Sequence, residues 1–175
     1  MNQPSTTTER PKKQNTCCFS GYRPEKLPWG ENEAHERCRE LNRRLFHVTE
    51  ALYDAGFRHF MCGMARGCDI YFCEAVLTLR DIYPDVTIEA VIPCSEQADK
   101  WGAAWRERYF ELVARCNRET LISMHYTRDC MHRRNRFMVD NSALIITVFD
   151  GRPGGTMATR RYAASKNLEI IDLRP

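Results

Sequence analysis

Three short stretches combine glycine with side chains that can hold an anion: Ser20 to Pro24 (SGYRP), Cys62 to Asp69 (CGMARGCD) and Phe149 to Thr156 (FDGRPGGT). In the first, Gly21 permits close backbone approach, and Arg23 offers a planar fork matched to phosphate or carboxylate. In the second, Gly63 and Gly67 bracket a turn into a helix whose first amides form an anion site, with Arg66 and Asp69 alongside. In the third, Gly151, Pro153, Gly154 and Gly155 lead into a helix that Thr156 can help cap, leaving amides and a hydroxyl for a phosphate. Glycine also serves turn geometry alone, so any one loop says little. None of them matches GxGxxG or the GxxxxGKS/T loop, which argues against a standard dinucleotide fingerprint and against a P-loop ATPase.

Charge gathers near the third loop. Between Tyr126 and Arg161 there are seven arginines against three aspartates, so with a formal net charge of +3 the rest of the chain is slightly acidic. A local excess of arginine beside a glycine-rich loop fits a nucleotide or a strand of nucleic acid, and equally an exposed, solvated helix face.

The elements that must position these loops alternate. Thr16 to Ser20 reads as a strand, and Leu41, Leu45, Val48 and Leu52 form one face of a helix from about 31 to 55, with Gly56 as its C-cap. Arg58 to Cys62 is a second strand, followed by a helix from about Cys68 to Asp81 that Tyr83-Pro84 ends. Val86 to Ile92 is a third strand, and Trp101 to Cys116 is helical. Glu119 to Ser123 follows as a fourth strand, and then a basic helical segment. Leu144 to Phe149 is apolar throughout, as a strand buried on both faces requires. A helix at 156–166 and a strand at 168–172 complete the chain. The expected fold is α/β: a single Rossmann-like domain, a mostly parallel sheet with helices on both faces, spanning 16–175 behind a disordered leader at 1–15. In such sheets ligands gather beyond the carboxyl ends of the strands, where all three glycine loops fall.

A length of 175 residues and 43% hydrophobic content suit one core, and exclude a polybasic tail or an acidic disordered chain. No apolar run is long enough for a bilayer span and the first residues lack a signal-peptide stretch, so a cytoplasmic location without membrane association is expected. The nine cysteines include no CxxC pair and read as reduced, mostly buried thiols. His125, Asp129, Cys130 and His132 are ligand types lying close together, but they lack paired spacing and sit among arginines, so neither a metal nor another cofactor is expected.

The motifs taken together resemble a family. GYRP at 21–24, GMARGCD at 63–69 with Glu74 beyond it, IP at 92–93 with Gln97 and Trp101, RN at 134–135 with FMVDNS, and FDGRPGGT at 149–156 are similar, in one unbroken order, to the YpsA-type branch of the SLOG superfamily. The resemblance implies a pocket for a nucleotide or nucleotide-derived ligand of the ADP-ribose, NAD or nucleoside-monophosphate class, in a protein acting as a sensor or regulator. Arg23, Arg66 and residues 151–156 would then hold phosphate, Arg134 and Asn135 would border the site, and Asp69, Glu74 and Asp150 would accept hydrogen bonds from ribose or base. A homodimer is a further expectation from the superfamily.

Two branches of the superfamily imply other functions. LOG-type phosphoribohydrolases, which cleave the base from a nucleoside monophosphate, carry PGGxGTxxE. Here the residue between GG and GT is missing, and Thr159 stands where the glutamate would be. Glycoside cleavage needs a nearby carboxylate, for which Asp69, Glu74 and Asp150 are the candidate catalytic residues. The DprA family, similar at GMARGCD and RRNRFMVDNS, engages single-stranded DNA. In this chain Tyr22, Trp29, Tyr126 and Phe137 are the candidate base-stacking residues.

Overall fold

The computed structural model describes residues 10–175. Six strands, β1 (Thr16–Ser20), β2 (His59–Cys62), β3 (Thr87–Ile92), β4 (Arg118–Leu121), β5 (Leu144–Val148) and β6 (Glu169–Leu173), alternate with α1 (Glu36–Asp54), α2 (Cys68–Ile82), α3 (Ala103–Arg115), α4 (Cys130–Asp140) and α5 (Gly155–Ser165). The strands form one sheet in the order β4-β3-β2-β1-β5-β6. Every pairing is parallel. The Rossmann-like α/β fold read from the sequence is therefore present.

Strand alternation assigns the helices to faces. Cys17, Phe19, Phe60, Cys62, Ile88 and Ile146 pack into one core with residues of α1, α2 and α3. Their neighbours Cys18, Met61, Val91 and Ile145 point the other way, into a smaller core with Met138, Val139 and Ala163 of α4 and α5. β1 and β5 are buried on both faces, whereas the edge strands β4 and β6 have only partly buried and exposed positions.

Helix α1 begins at Glu36, later than expected, because residues 29–35 form turns and the His35 imidazole accepts from the Arg37 amide at 3.1 Å. Its buried stripe is Cys38, Leu41, Leu45, Thr49 and Leu52. Thr49 takes the inner place expected of Val48, and its hydroxyl is satisfied by donating to the Leu45 and Phe46 carbonyls. The helix ends as expected at Gly56 (φ +99°), with Gly56 N–H donating to Tyr53 and Phe57 N–H to Leu52, a Schellman closure.

Of the expected leader, residues 1–9 lie outside the described residues. Residues 13–15 form a 3-10 turn, and Asn15 accepts from the Arg58 amide at 3.0 Å. Arg10 reaches the buried Glu89 at 3.5 Å and lies 4.8 Å from the Phe137 ring centroid. Residues 10–15 are thus held to the sheet and α4, a contact that polar composition alone does not reveal. Among the described residues no helix is long and apolar enough to cross a membrane.

Candidate functional site

Chain progression reverses at β1. From it the strands run outward through β2, β3 and β4 on one side and through β5 and β6 on the other. Crossovers leaving β1 and β5 therefore diverge, and a crevice opens beyond their carboxyl ends. A cavity of about 410 Å³ occupies that place. Ser20, Gly21, Arg23 and Lys26 enter it from the loop after β1, and Asp69 from the first turn of α2. Met131, His132, Arg134 and Asn135 come from α4, and Gly155 and Thr156 from the start of α5.

A buried pair forms its floor. Arg134 and Asp69 are each about 5% exposed, and the guanidinium lies 3.9 Å from the carboxylate. Burial pushes the Asp69 carboxyl up, while Arg134, the Ala65 amide and Arg23 pull it back. Arg134 also donates to the Gly63 carbonyl and, at 2.7 Å, to Asn135 Oδ1. A Cβ at Gly63 would overlap that guanidinium, so this glycine makes room for Arg134. Asn135 then donates to Thr159 at 2.8 Å, and the Thr159 hydroxyl donates to the Gly155 carbonyl at 2.9 Å, tying α4 to the first turn of α5.

The rim is closed by the two loops of the crevice. Tyr22 donates its hydroxyl to Asp150 at 2.6 Å, and Arg152 grips the same carboxylate at 2.8 Å. Arg152 and Tyr22 together hold the Asp150 carboxyl well below the usual carboxylate range. Lys26 donates to the Pro153 carbonyl at 2.6 Å, and Arg152 to the Lys26 carbonyl. The post-β5 loop is in this way latched to the post-β1 loop.

Two features suited to an anion face the cavity. Amides of Gly155, Thr156 and Met157 precede the first intrahelical bond of α5, which Ala158 donates to Gly154 at 3.0 Å. Arg23 is exposed at the mouth, and no hydrogen bond or ion pair holds it among the described residues. With Lys26 and Arg134 these make the cavity a place of positive potential, which Asp69 and Glu25, the other two charged residues of the lining, only partly offset.

The expected site residues divide. Gly21, Arg23, Asp69, Arg134, Asn135, Gly155 and Thr156 line the cavity. Thr156 does so from within the helix, because the N-cap is Gly154 and no side chain caps α5. Gly63 and Gly67 lie behind the wall. Gly67 (φ +85°) lets the Tyr22 carbonyl accept from the Cys68 amide at 3.0 Å, and a Cβ there would stand 2.8 Å from that oxygen. With the Ala65 amide given to Asp69 at 3.2 Å, the start of α2 is occupied by the protein's own acceptors. Arg66 is not on the lining but pairs with Glu25, which is, and with Glu31. Glu74 is on the far side of α2, where Arg108 forks onto it at 2.7 and 2.8 Å. Asp150, Gly151 and Gly154 shape the latch without lining the cavity. Tyr22 and Trp29 are 2% and 6% exposed, so neither is available to stack on a base, whereas Tyr126 is exposed. Lys26 and His132 also line the cavity; in the sequence only their place beside GYRP and RN points to them. Among the described residues no group of three or more His, Cys, Asp or Glu is placed to hold a metal.

Comparison with known proteins adds a family. A family model described as the YspA SLOG family matches residues 17–171. A UPF0398 protein of Lysinibacillus sphaericus is 23% identical over 156 residues, covering 88% of this chain and 87% of the relative. One from Bacillus thuringiensis is 22% identical over 153 residues, covering 86% and 83%. Among solved structures, DNA processing protein A from Helicobacter pylori, studied for its single-stranded DNA binding mode, superposes with a TM-score of 0.59 at 15% identity. The match covers 92% of this chain, which spans only 65% of that protein.

Proposed function

The chain belongs to the YspA SLOG family, and from that premise we propose that it binds a nucleotide or nucleotide-derived ligand, phosphate first, in the switch-point cavity, as a sensor or regulator. One observation carries the reading: the unpaired Arg23 shares a cavity with Lys26, Arg134 and the opening amides of α5. A guanidinium without a partner beside free amides is suited to phosphate oxygens. The volume of about 410 Å³ lies in the range of small-molecule sites, roughly 300–1,000 Å³. Asn135, Ser20 and Asp69 are placed to accept or donate to a sugar.

Binding without turnover is favoured by Thr159. Its hydroxyl is buried and spent on Gly155, in the place where a phosphoribohydrolase would carry glutamate. Of the three candidate catalytic carboxylates, Glu74 and Asp150 are committed outside the cavity, and Asp69 is paired with Arg134.

The test is thermal denaturation with AMP, ADP, NAD and ADP-ribose. A ligand at a hundred times its Kd stabilises the native state by about 2.7 kcal/mol. At least one of the four is expected to raise the Tm, and no rise with any of them at millimolar concentration overturns the reading. Release of free base from a nucleoside monophosphate would instead make the protein an N-glycosidase.

A second reading, single-stranded nucleic acid, draws on the exposed Arg128, Arg133 and Arg136 and on Tyr126. It predicts oligonucleotide binding whose logarithm falls steeply with the logarithm of salt, and a flat response removes it. The proposal further takes residues 16–175 as one ligand-binding unit, acting as a cytoplasmic homodimer. Sedimentation checks the dimer and fractionation the location.

A further inference from the structure

Cys73 and Cys116 place their Sγ atoms 4.0 Å apart between α2 and the end of α3, and both are free thiols. Cys73 is fully buried, whereas Cys116 is partly exposed. Arg80 stands beside Cys116, held by the Arg115 carbonyl at 2.8 Å and by Asn117 Oδ1 at 2.9 Å. The pair thus joins a partly exposed cysteine, near cationic groups, to a second sulfur directly behind it. That is the arrangement of a reactive thiol with its resolving partner.

We propose that Cys116 and Cys73 form a peroxide-reactive dithiol, in which Cys116 is the attacking sulfur and Cys73 resolves it to an intramolecular disulfide joining α2 to the end of α3. The Cys116 thiolate attacks one oxygen of hydrogen peroxide. The O–O bond breaks, Cys116 becomes a sulfenic acid, and the departing hydroxide takes a proton to leave as water. The Cys73 sulfur then attacks the Cys116 sulfur and displaces the hydroxyl, which takes the Cys73 proton and leaves as a second water. The two thiols lose two electrons and two protons, and the peroxide is reduced.

The surroundings assign the roles. The hydrogen bond from Cys73, with Arg80 and Arg115, holds the Cys116 thiol below its ordinary range. The same bond, together with Cys62 and burial, holds Cys73 above it. The sulfurs must close from 4.0 Å to about 2.05 Å. Cys116 is where α3 ends, with its backbone already extended (φ −66°, ψ 148°), so movement there disturbs no helical turn beyond it. Cys94 and Cys130 are also neighbours, but both are buried and have no exposed attacking sulfur.

Hydrogen peroxide at one equivalent, applied to the folded full-length chain and followed by alkylation and trypsin without reductant, tests the proposal. Residues 67–80 are expected to appear linked to residues 116–118, with an intact mass lower by two hydrogens and restored by dithiothreitol. Residues 67–80 also contain Cys68, so Cys68→Ala must keep the link while Cys73→Ala abolishes it and leaves Cys116 as an oxygen adduct. Cys116→Ser, at the partly exposed position, must also abolish the link and leave Cys73 reduced, and this arm serves if the buried alanine fails to fold. A wild-type chain in which Cys116 goes on to a sulfinic acid unlinked, in which no thiol reacts, or in which the first disulfide excludes Cys116 overturns the proposal.

Discussion

Replacing Arg23 with alanine separates binding from folding more cleanly than any other change in the cavity. The side chain is exposed and unpartnered among the described residues, so its removal should leave stability within about 0.5 kcal/mol of the parent. A hydrogen bond to a charged group contributes about 1.5–3 kcal/mol, and exposure at the mouth places Arg23 at the lower part of that range. A loss of about 1–2 kcal/mol corresponds to a roughly 5- to 30-fold rise in Kd. Arg134 should behave oppositely. Its removal strands the buried Asp69 carboxylate and leaves the Gly63 carbonyl with Gln97 alone, at a cost of about 3–5 kcal/mol in stability. The assay is isothermal titration of Arg23→Ala with whichever of AMP, ADP, NAD and ADP-ribose stabilises the parent most, at low and at physiological ionic strength, beside urea unfolding of both proteins. The loss should be larger at low salt, and Arg23→Lys should recover part of it. Unchanged affinity, or a loss of affinity matched by an equal loss of stability, would refute the assignment of phosphate to the mouth of the cavity.

Other perturbations probe the frame. Gly67→Ala must force a side chain into a positive φ and against the Tyr22 carbonyl, so urea unfolding should show a loss of about 2–4 kcal/mol. Tyr22→Phe removes the 2.6 Å bond to Asp150 and should cost about 1 kcal/mol while speeding amide exchange across residues 150–155. Burial alone would raise the Glu89 carboxyl, but bonds from His59 and Thr120 outweigh it and hold the group below its ordinary range. A lowered carboxylate stabilises the fold above its unfolded value, near 4.3, and that stabilisation is lost as pH falls through the folded value. Glu89→Gln should therefore cost about 2 kcal/mol at neutral pH, with the difference from the parent shrinking as pH falls below the ordinary glutamate range in denaturant titrations. Glu74→Gln should weaken packing against Arg108 and leave ligand affinity unchanged. A large change in Kd there would place Glu74 in the site after all.

The place of the candidate cavity was legible in the sequence, but much of its lining was not. Alternating apolar strands and helices specify a parallel sheet, and glycines directly after three of its strands mark the edge where a ligand would sit. Glycine is silent, however, on what approaches it. Gly155 faces the cavity, while Gly63 yields its Cβ space to Arg134 and Gly67 to the Tyr22 carbonyl. Charged side chains are ambiguous for the same reason. Arg66 and Glu74 belong to matching motifs, yet each finds an opposite charge on an element distant in sequence, Glu31 for one and Arg108 for the other. Lys26 is not marked by the sequence, because nothing local distinguishes a lysine that reaches another loop from one that reaches water. Thr159 could be noted only as a missing glutamate, and its hydroxyl bond to Gly155 became visible once α5 was placed beside α4.

Tyr22 and Asp150, which latch the rim, are 128 residues apart in sequence. β1, the first of the described strands, waits for β5 before its second edge is covered. During synthesis the segment through β4 can assemble on one flank of β1, but the crevice has no second wall until α5 has emerged. Long-range parallel pairing of this kind forms slowly, because loop closure must precede the contacts that reward it. The cavity is therefore complete only once α5 has emerged, with β6 alone still to follow. A nascent or truncated chain ending before β5 would present the central strand with a bare apolar edge and no site, and would be prone to aggregation rather than partly active.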